Sequence, residues 1–154
     1  CLRKNQFQIT YNKNFANVIN QCSVNRNKDN DTWLTAEMKK AFINLHKSGY
    51  AHSVECWQNN HLVGGLYGIA LDQIFFGESM FSRIKCGSQF ALIALVEYLK
   101  SRNFQLIDCQ MTTEHLLRFG AREISGREFR NQLKENIQNI IPYDNWKNES
   151  NKDK

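Results

Sequence analysis

The sequence is nearly without proline: Pro142 is the one proline among 154 residues. No Pro-, Gly- or Ser-rich stretch interrupts the chain, so a single domain without an inner linker is expected. Long apolar runs are also missing, which excludes a membrane-spanning helix, and nothing resembles a secretory signal. There is no internal repeat. The five cysteines (Cys1, Cys22, Cys56, Cys86, Cys109) are odd in number and contain no CxxC pair. Several fall inside expected helices or strands, so buried free thiols in a reducing compartment are expected rather than a disulfide framework. The four histidines lack zinc-ligand spacing, and no metal is expected.

What remains is an ordinary globular composition, with 42% hydrophobic and 23% charged residues. A chain of this length buries a core without staples. The net charge of +5 suits a polyanionic partner without requiring one. The chain starts with Cys1 rather than Met, which reads as a fragment or a domain lacking an upstream partner.

Hydrophobic periodicity orders the elements. Phe7, Ile9 and Tyr11 alternate with polar residues as in a strand, and Phe15, Val18, Ile19 and Cys22 form the stripe of an amphipathic helix. Thr35 caps a second helix with Met38, Phe42 and Leu45 inward and Gly49 at its end. Runs 51–57, 62–71 and 73–81 follow, separated by Asn59-Asn60 and by Asp72, and read as an antiparallel meander. Ser88 opens a helix facing inward through Ala91, Leu92, Leu95, Val96 and Leu99; 104–109 is a short apolar strand, expected at the centre of the sheet; Thr113 starts a brief helix. Ser125-x-x-Glu128 is a capping box leading into the last helix through Phe129, Leu133 and Ile137. The expected fold class is α+β, helices packed on a mixed and mostly antiparallel sheet.

Two strands carry polar groups that a buried strand does not need. In Leu106–Gln110 the two-residue period places Asp108 and Gln110 on one face and Ile107 and Cys109 on the other. A carboxylate beside an amide at the end of an apolar strand is costly unless paired or used. The bland alternative is that Asp108 caps the next turn. Glu78 lies in the aromatic and sulfur-rich run Phe75–Phe81, beside Gly77, whose position in a strand suggests a bulge or a close approach by a ligand. Its bland alternative is a solvent-facing Glu on an edge strand. Gly64, Gly65 and Gly68 likewise leave room for a ligand or for a bulge.

Thr32-Trp33-Leu34, the stretch from Leu45-His46 through Gly49-Tyr50-Ala51-His52-Ser53-Val54-Glu55 to Trp57, then LVGGLYG, GESMFS and LIDCQ occur in that order. Together they resemble the catalytic domain of the leucyl/phenylalanyl-tRNA–protein transferases, from about Leu2 to about Leu133. The resemblance implies a GNAT-like domain over 1–141; the polar residues 142–154 read as a flexible tail. It implies transfer of Leu or Phe, and Met less well, from aminoacyl-tRNA to the α-amine of proteins beginning with Arg or Lys, which marks them for N-degron proteolysis. Asp108 and Gln110 match the positions handling the attacking amine, and Glu78 the glutamate near the aminoacyl end. Leu66, Phe75, Met80, Leu95 and Ile107 match the pocket for the transferred side chain, and Trp33 an aromatic that stacks on the terminal adenosine. Arg83 and Lys85, with Lys100 and Arg102, are candidates for phosphate contacts. The resemblance implies no cofactor, since aminoacyl-tRNA is a co-substrate, and a cytoplasmic monomer with no membrane partner.

The residue types suit that chemistry in their own right. Ester aminolysis needs a neutral amine, a proton acceptor and stabilisation of an oxyanion, and Asp108 acting directly or through Gln110 supplies the acceptor. Strict alternation puts Phe75 and Met80 on opposite faces, so a shared pocket requires a bulge near Gly77. The sequence departs from the family pattern in two ways: the upstream domain is not present, and Gln89 stands where a lysine is common. Two rivals stay open. A GNAT N-acetyltransferase would use acetyl-CoA, although Arg83–Ser88 has the glycine of the pyrophosphate turn one place late and lacks the second. A non-catalytic aminoacyl-RNA or peptide-binding module would keep the pocket alone.

Overall fold

A computed structural model describes residues 6–24, 34–143 and Trp146. Strand β1 (Gln8–Tyr11) is followed by helices α1 (Phe15–Val24) and α2 (Ala36–Lys47). The meander β2 (Ala51–Gln58), β3 (His61–Leu71) and β4 (Ile74–Ser82) comes next, then α3 (Gly87–Ser101), β5 (Leu106–Asp108), α4 (Glu114–Arg118) and α5 (Gly126–Asn136). The strands form one sheet in the order β1-β2-β3-β4-β5, antiparallel except for the parallel pair β4–β5. This is the α+β architecture expected from the pattern.

Local chemistry explains the boundaries. Asn59 and Asn60 both adopt left-handed φ (49° and 62°), as a two-residue hairpin turn between β2 and β3 demands. Asp72 does the same between β3 and β4 (φ 49°), and its carboxylate accepts the N–H groups of Gln138 and Asn139, fastening the end of α5 to that turn. The hydroxyls of Thr35, Thr113 and Ser125 cap α2, α4 and α5 by accepting the N–H three residues on.

The sheet buries both faces. α3 packs on one, where Val54, Leu66, Ala70 and Phe75 meet Ala91, Leu92, Leu95 and Leu99. α1 and α2 cover the other, where Phe15, Val18 and Ile19 meet Ala51, Tyr67 and Phe81. Each Val, Leu, Ile or Phe side chain fully removed from water contributes about 1.5–3 kcal/mol, so the two layers carry most of the stability.

Two regions differ from expectation. The last strand lies at the edge of the sheet among the described residues, not at its centre, and is shorter than 104–109: the Phe104 N–H is spent on Leu99 O at the end of α3, with Asn103 left-handed (φ 61°), and ladder pairing stops at Asp108. The expected flexible tail is also anchored at two of its residues. The Tyr143 N–H donates to Gly49 O at 3.0 Å and its ring packs against Phe104. Trp146 is buried, stacked on His52 with ring centroids 4.3 Å apart and touching Phe75, Tyr11 and Tyr98. Large aromatics in a polar stretch had burial to gain that the average composition concealed.

Candidate active site

The site begins with a one-residue irregularity in β4. Tyr67 pairs with Ser79 but the next residue, Gly68, pairs with Gly77, so Glu78 is an extra residue in the strand. This β-bulge resets the alternation. Met80 now lies beside Leu66 and Phe75 beside Ala70, all on the α3 face of the sheet. The bulge required by a shared pocket is therefore present, at Glu78 itself. Gly68 makes room for the arrangement: a Cβ there would stand 2.2 Å from Phe76 O and 2.6 Å from the Phe75 ring.

β5 accompanies β4 only as far as the Phe76–Asp108 pair, while β4 continues to Ser82. The two strands diverge from that point, and a cleft of about 400 Å³ opens between them. Its walls include Leu66, Phe75, Met80, Leu95 and Ile107, all five of the expected pocket residues, together with Leu92 and Leu116. Glu78, Gln110, Thr113 and His115 add the polar rim. Leu92 was discoverable, since it shares the inward stripe of α3 with Leu95. Thr113 and His115 were not, because only the turn after β5 brings α4 to the cleft. His115 Nε2 is buried there with no hydrogen-bond partner among the described residues.

Gln110 reaches the cleft by a route that strand alternation does not give. The Met111 N–H donates to Cys109 O at 2.7 Å across Gln110, whose φ is 61°. This is a tight γ-turn of the rare, strained kind. The expectation that Asp108 and Gln110 share a strand face is thus replaced by a turn. Within it the Asp108 carboxylate accepts the Gln110 N–H at 2.9 Å, so Asp108 does cap the turn. The Gln110 side-chain amide donates to the Glu78 carboxylate at 3.2 Å. Asp108 itself lines a neighbouring groove and not the first cleft.

At Glu78 strand β4 has already parted from β5, so that side of the strand is open; the side chain is half-buried, and its carboxylate is held by the Gln110 amide at the mouth of the cleft. Burial raises its pKa above the usual carboxylate value; the Gln110 hydrogen bond opposes the shift and the nearby Asp108 charge adds to it. Cys109, which also lines the cleft, is pushed up by burial and then by Asp108, and so stays a thiol at neutral pH.

The remaining candidates lie elsewhere or outside the described residues. Trp33 is outside them. Arg83 is exposed and donates to the Gln21 amide oxygen on α1, while Lys85 is exposed on the same turn. That turn enters α3 with Cys86 left-handed (φ 71°) and the Gly87 backbone pressed on Gly64. The Gly87 N–H already donates to Ile84 O and the Ser88 N–H to Ser82 Oγ. A helix start whose amides serve the chain's own oxygens is a poor pyrophosphate cradle.

The AHSVE stretch proves to be support. Glu55 is fully buried and accepts from Thr10 and Ser53 hydroxyls, each at 2.6 Å, and from the N–H groups of Lys13 and Asn14. It clamps the β1–α1 turn. Next to it, His52 takes one hydrogen bond from the Asn12 amide and gives one to Gly49 O, an assignment that requires the neutral ring. Burial pushes its pKa down to about 3.

Residues 1–134 match the profile of the family described as leucyl/phenylalanyl-tRNA protein transferase. The chain belongs to that family. It is 51% identical over 150 residues to the leucyl/phenylalanyl-tRNA–protein transferase of Syntrophobacter fumaroxidans, covering 97% of this chain and 64% of that protein. The Pseudomonas fluorescens protein of the same name is 52% identical over 136 residues, covering 88% of this chain and 60% of that protein. The chain therefore spans about three fifths of the length of the curated relatives it matches. Among solved structures, an aminoglycoside acetyltransferase from an uncultured soil metagenomic sample superposes with a TM-score of 0.59 at 14% identity, over 79% of this chain and 93% of that one. A GNAT family acetyltransferase from Staphylococcus aureus gives 0.55 at 14% identity, over 79% and 95%. The fold of this family member is that of the GNAT acetyltransferases. No helix among the described residues is long and apolar enough to cross a membrane.

Proposed function

We propose that this chain carries the transfer centre of a leucyl/phenylalanyl-tRNA–protein transferase. It moves Leu or Phe, and Met less well, from aminoacyl-tRNA to the α-amine of proteins that begin with Arg or Lys, and so marks them for N-degron proteolysis. The observation that carries the reading is the apolar cleft closed at its rim by the Glu78–Gln110 pair. Its volume of about 400 Å³ is near the lower end of the range for small-molecule sites, which suits one amino-acid side chain.

In this reading the transferred side chain fills the space between Phe75, Met80, Leu95 and Ile107. Glu78, ionised, binds the α-ammonium of that residue. The acceptor arrives as a protonated amine and loses a proton to Asp108, on the far side of the β5 turn. Its nitrogen then attacks the ester carbonyl, the C–O bond to the terminal ribose breaks, and that oxygen leaves with a proton as the hydroxyl of free tRNA. Gln110, between the two acids, holds both ends in register. Positioning of this kind supplies most of the barrier reduction when the ester is already activated. Trp33 stacks on the terminal adenosine, and Arg83 and Lys85 meet phosphates. No cofactor enters the reaction, and the enzyme acts as a cytoplasmic monomer.

The fold alone would also suit an N-acetyltransferase, but the occupied amides at the start of α3 speak against acetyl-CoA. The test is incubation with radiolabelled Leu-tRNA and an Arg-initiated protein, with labelled acetyl-CoA in parallel. Label passing from Leu-tRNA to the protein is the expected result. Acetyl transfer in its place, or no transfer from either donor, overturns the proposal.

A further inference from the structure

The aminoacyl cleft is backed by a side chain that does not line it. Trp146 is buried, 4% exposed, and is not part of the cleft walls. Its ring centroid nevertheless lies 5.8 Å from that of Phe75, which walls the cleft from β4. On its other sides the indole meets Tyr98 of α3 at 4.6 Å and Tyr11 of β1 at 6.3 Å. It stacks on His52 of β2 at 4.3 Å, with the ring planes 8° apart. Trp146 is thus wedged between the sheet and α3, the two layers whose Phe75 and Leu95 bound the cleft.

The wedge has firm surroundings on every side but one. Gly49 O accepts both the Tyr143 N–H and the His52 Nε2–H, each at 3.0 Å, and the Asn12 amide holds the other His52 nitrogen at 3.0 Å. The stacking partner of the indole is therefore locked in place. The Trp146 Nε1–H has no acceptor among the described residues, whereas buried indoles usually find one. The ring is held by its shape and not by a polar bond. A close-packed interior passes a change of volume on to its neighbours. Among the ring partners of Trp146, Phe75 is the one that borders open space.

We propose that Trp146 is a specificity-determining positioning residue, whose bulk holds the Phe75 ring forward and so sets the depth of the aminoacyl cleft and the ranking of Leu against Phe. This role rests on the transferase reading and extends it to a residue remote from the reacting atoms. Shortening Trp146 lets Phe75 retreat, which deepens the cleft and favours the larger donor side chain. A change on the scale of one methylene is worth ~10–200-fold in discrimination, and the lower end suits a wall that moves without being removed.

A ratio of two affinities measured on one protein does not depend on the fraction that is folded, so binding is the readout. Adenosine carrying a leucyl or a phenylalanyl group, through an amide in place of the ester, is titrated into the wild type, Trp146→Ala, Trp146→Phe and Ile19→Ala. Ile19 is buried on the opposite face of the sheet and controls for general loosening. The expected result is a ratio Kd(Leu)/Kd(Phe) raised about tenfold by Trp146→Ala. Trp146→Phe, which keeps a ring, should stay near the wild type, and Ile19→Ala should leave the ratio unchanged. Thermal unfolding checks each variant, and Trp146→Leu, with the same direction of shift expected, replaces Trp146→Ala if the latter does not fold. An unchanged ratio in the folded variant, or an equal shift in Ile19→Ala, overturns the role of Trp146. A shifted ratio without transfer from Leu-tRNA would overturn the transferase reading and leave the wedge; transfer with an unshifted ratio would do the reverse. Failure of the wild type to bind either analogue would overturn both.

Discussion

The Gln110 amide lies 3.2 Å from the Glu78 carboxylate across the mouth of the cleft, and it comes there on a γ-turn with φ 61°. A strained backbone of that kind costs on the order of 1–3 kcal/mol and persists where surrounding contacts hold it. The Asp108 carboxylate holds the Gln110 N–H, and the Cys109 carbonyl closes the turn. Asp108 and Glu78 are thus linked through one residue while facing different spaces.

The pair sets a pH dependence. Burial delays ionisation of Glu78 to higher pH, and the Gln110 hydrogen bond partly restores it. If ionised Glu78 is needed, activity falls as pH drops through its raised pKa. Removing the hydrogen bond in Gln110→Ala should move that acid limb to still higher pH, and Glu78→Gln should abolish it. Asp108→Asn keeps the acceptor of the turn but removes the base, with an expected loss in kcat of ~10²–10⁴. Rate profiles from pH 4 to 8 with saturating substrates check this. Near-normal turnover in both Asp108→Asn and Gln110→Ala would contradict the proposed roles of the two residues.

Gly68 tests the geometry beneath the cleft. Gly68→Ala would bring a methyl carbon against Phe76 O and the Phe75 ring, and backbone cannot yield as a side-chain tip can. The expected cost is about 2–4 kcal/mol, with weakened binding of the donor side chain as Phe75 is displaced. Urea denaturation together with donor KM would show both effects. Wild-type stability would mean that the bulged strand is softer than its contacts imply.

Much of this was legible in the residues. Asn59-Asn60, Asp72, Thr35 and Ser125 set element boundaries because their chemistry is local. The demand for a bulge came from requiring Phe75 and Met80 in one pocket, and the register shift at Glu78 meets it. What was not legible depends on contacts remote in sequence. Alternation cannot foresee that pairing ends at Asp108, which a γ-turn then follows. Nor can composition foresee that Trp146 finds His52, 94 positions earlier in the chain, in an otherwise polar segment.

That stacked pair gives a prediction about stability. His52 is neutral in the fold, with its pKa pushed down to about 3 chiefly by burial, the His46 charge adding to the effect. An unfolded chain protonates it near pH 6.5, so its contribution is complete above that pH and is lost as pH falls toward 3. Between pH 7 and pH 5 the loss amounts to about 2 kcal/mol. His52→Gln should be less stable at pH 7 yet show a shallower decline over the same range. Urea unfolding at both pH values, followed by tryptophan fluorescence, measures the difference. Equal slopes in the two proteins would remove His52 as the cause.

The cleft's shape predicts which amino acids are transferred. Phe75 and Met80 flank it from β4, Ile107 from β5 and Leu95 from α3. Side chains that branch at Cγ or beyond carry their bulk into the deeper part of such a space. A β-branched Val or Ile puts its bulk beside the rim, against Glu78 and Gln110. The misfit of one methyl is worth only ~1–3 kcal/mol, so Val and Ile should be poorer by roughly 10–200-fold rather than excluded. Leu95→Ala, by opening the α3 wall, should favour Phe over Leu and admit Trp, at a stability cost of about 2–5 kcal/mol because Leu95 is 1% exposed. Relative kcat/KM for Leu-, Phe-, Met-, Val- and Trp-charged donors in one mixture would measure this order. An unchanged order in a folded Leu95→Ala protein would show that the side chain is bound outside this cleft.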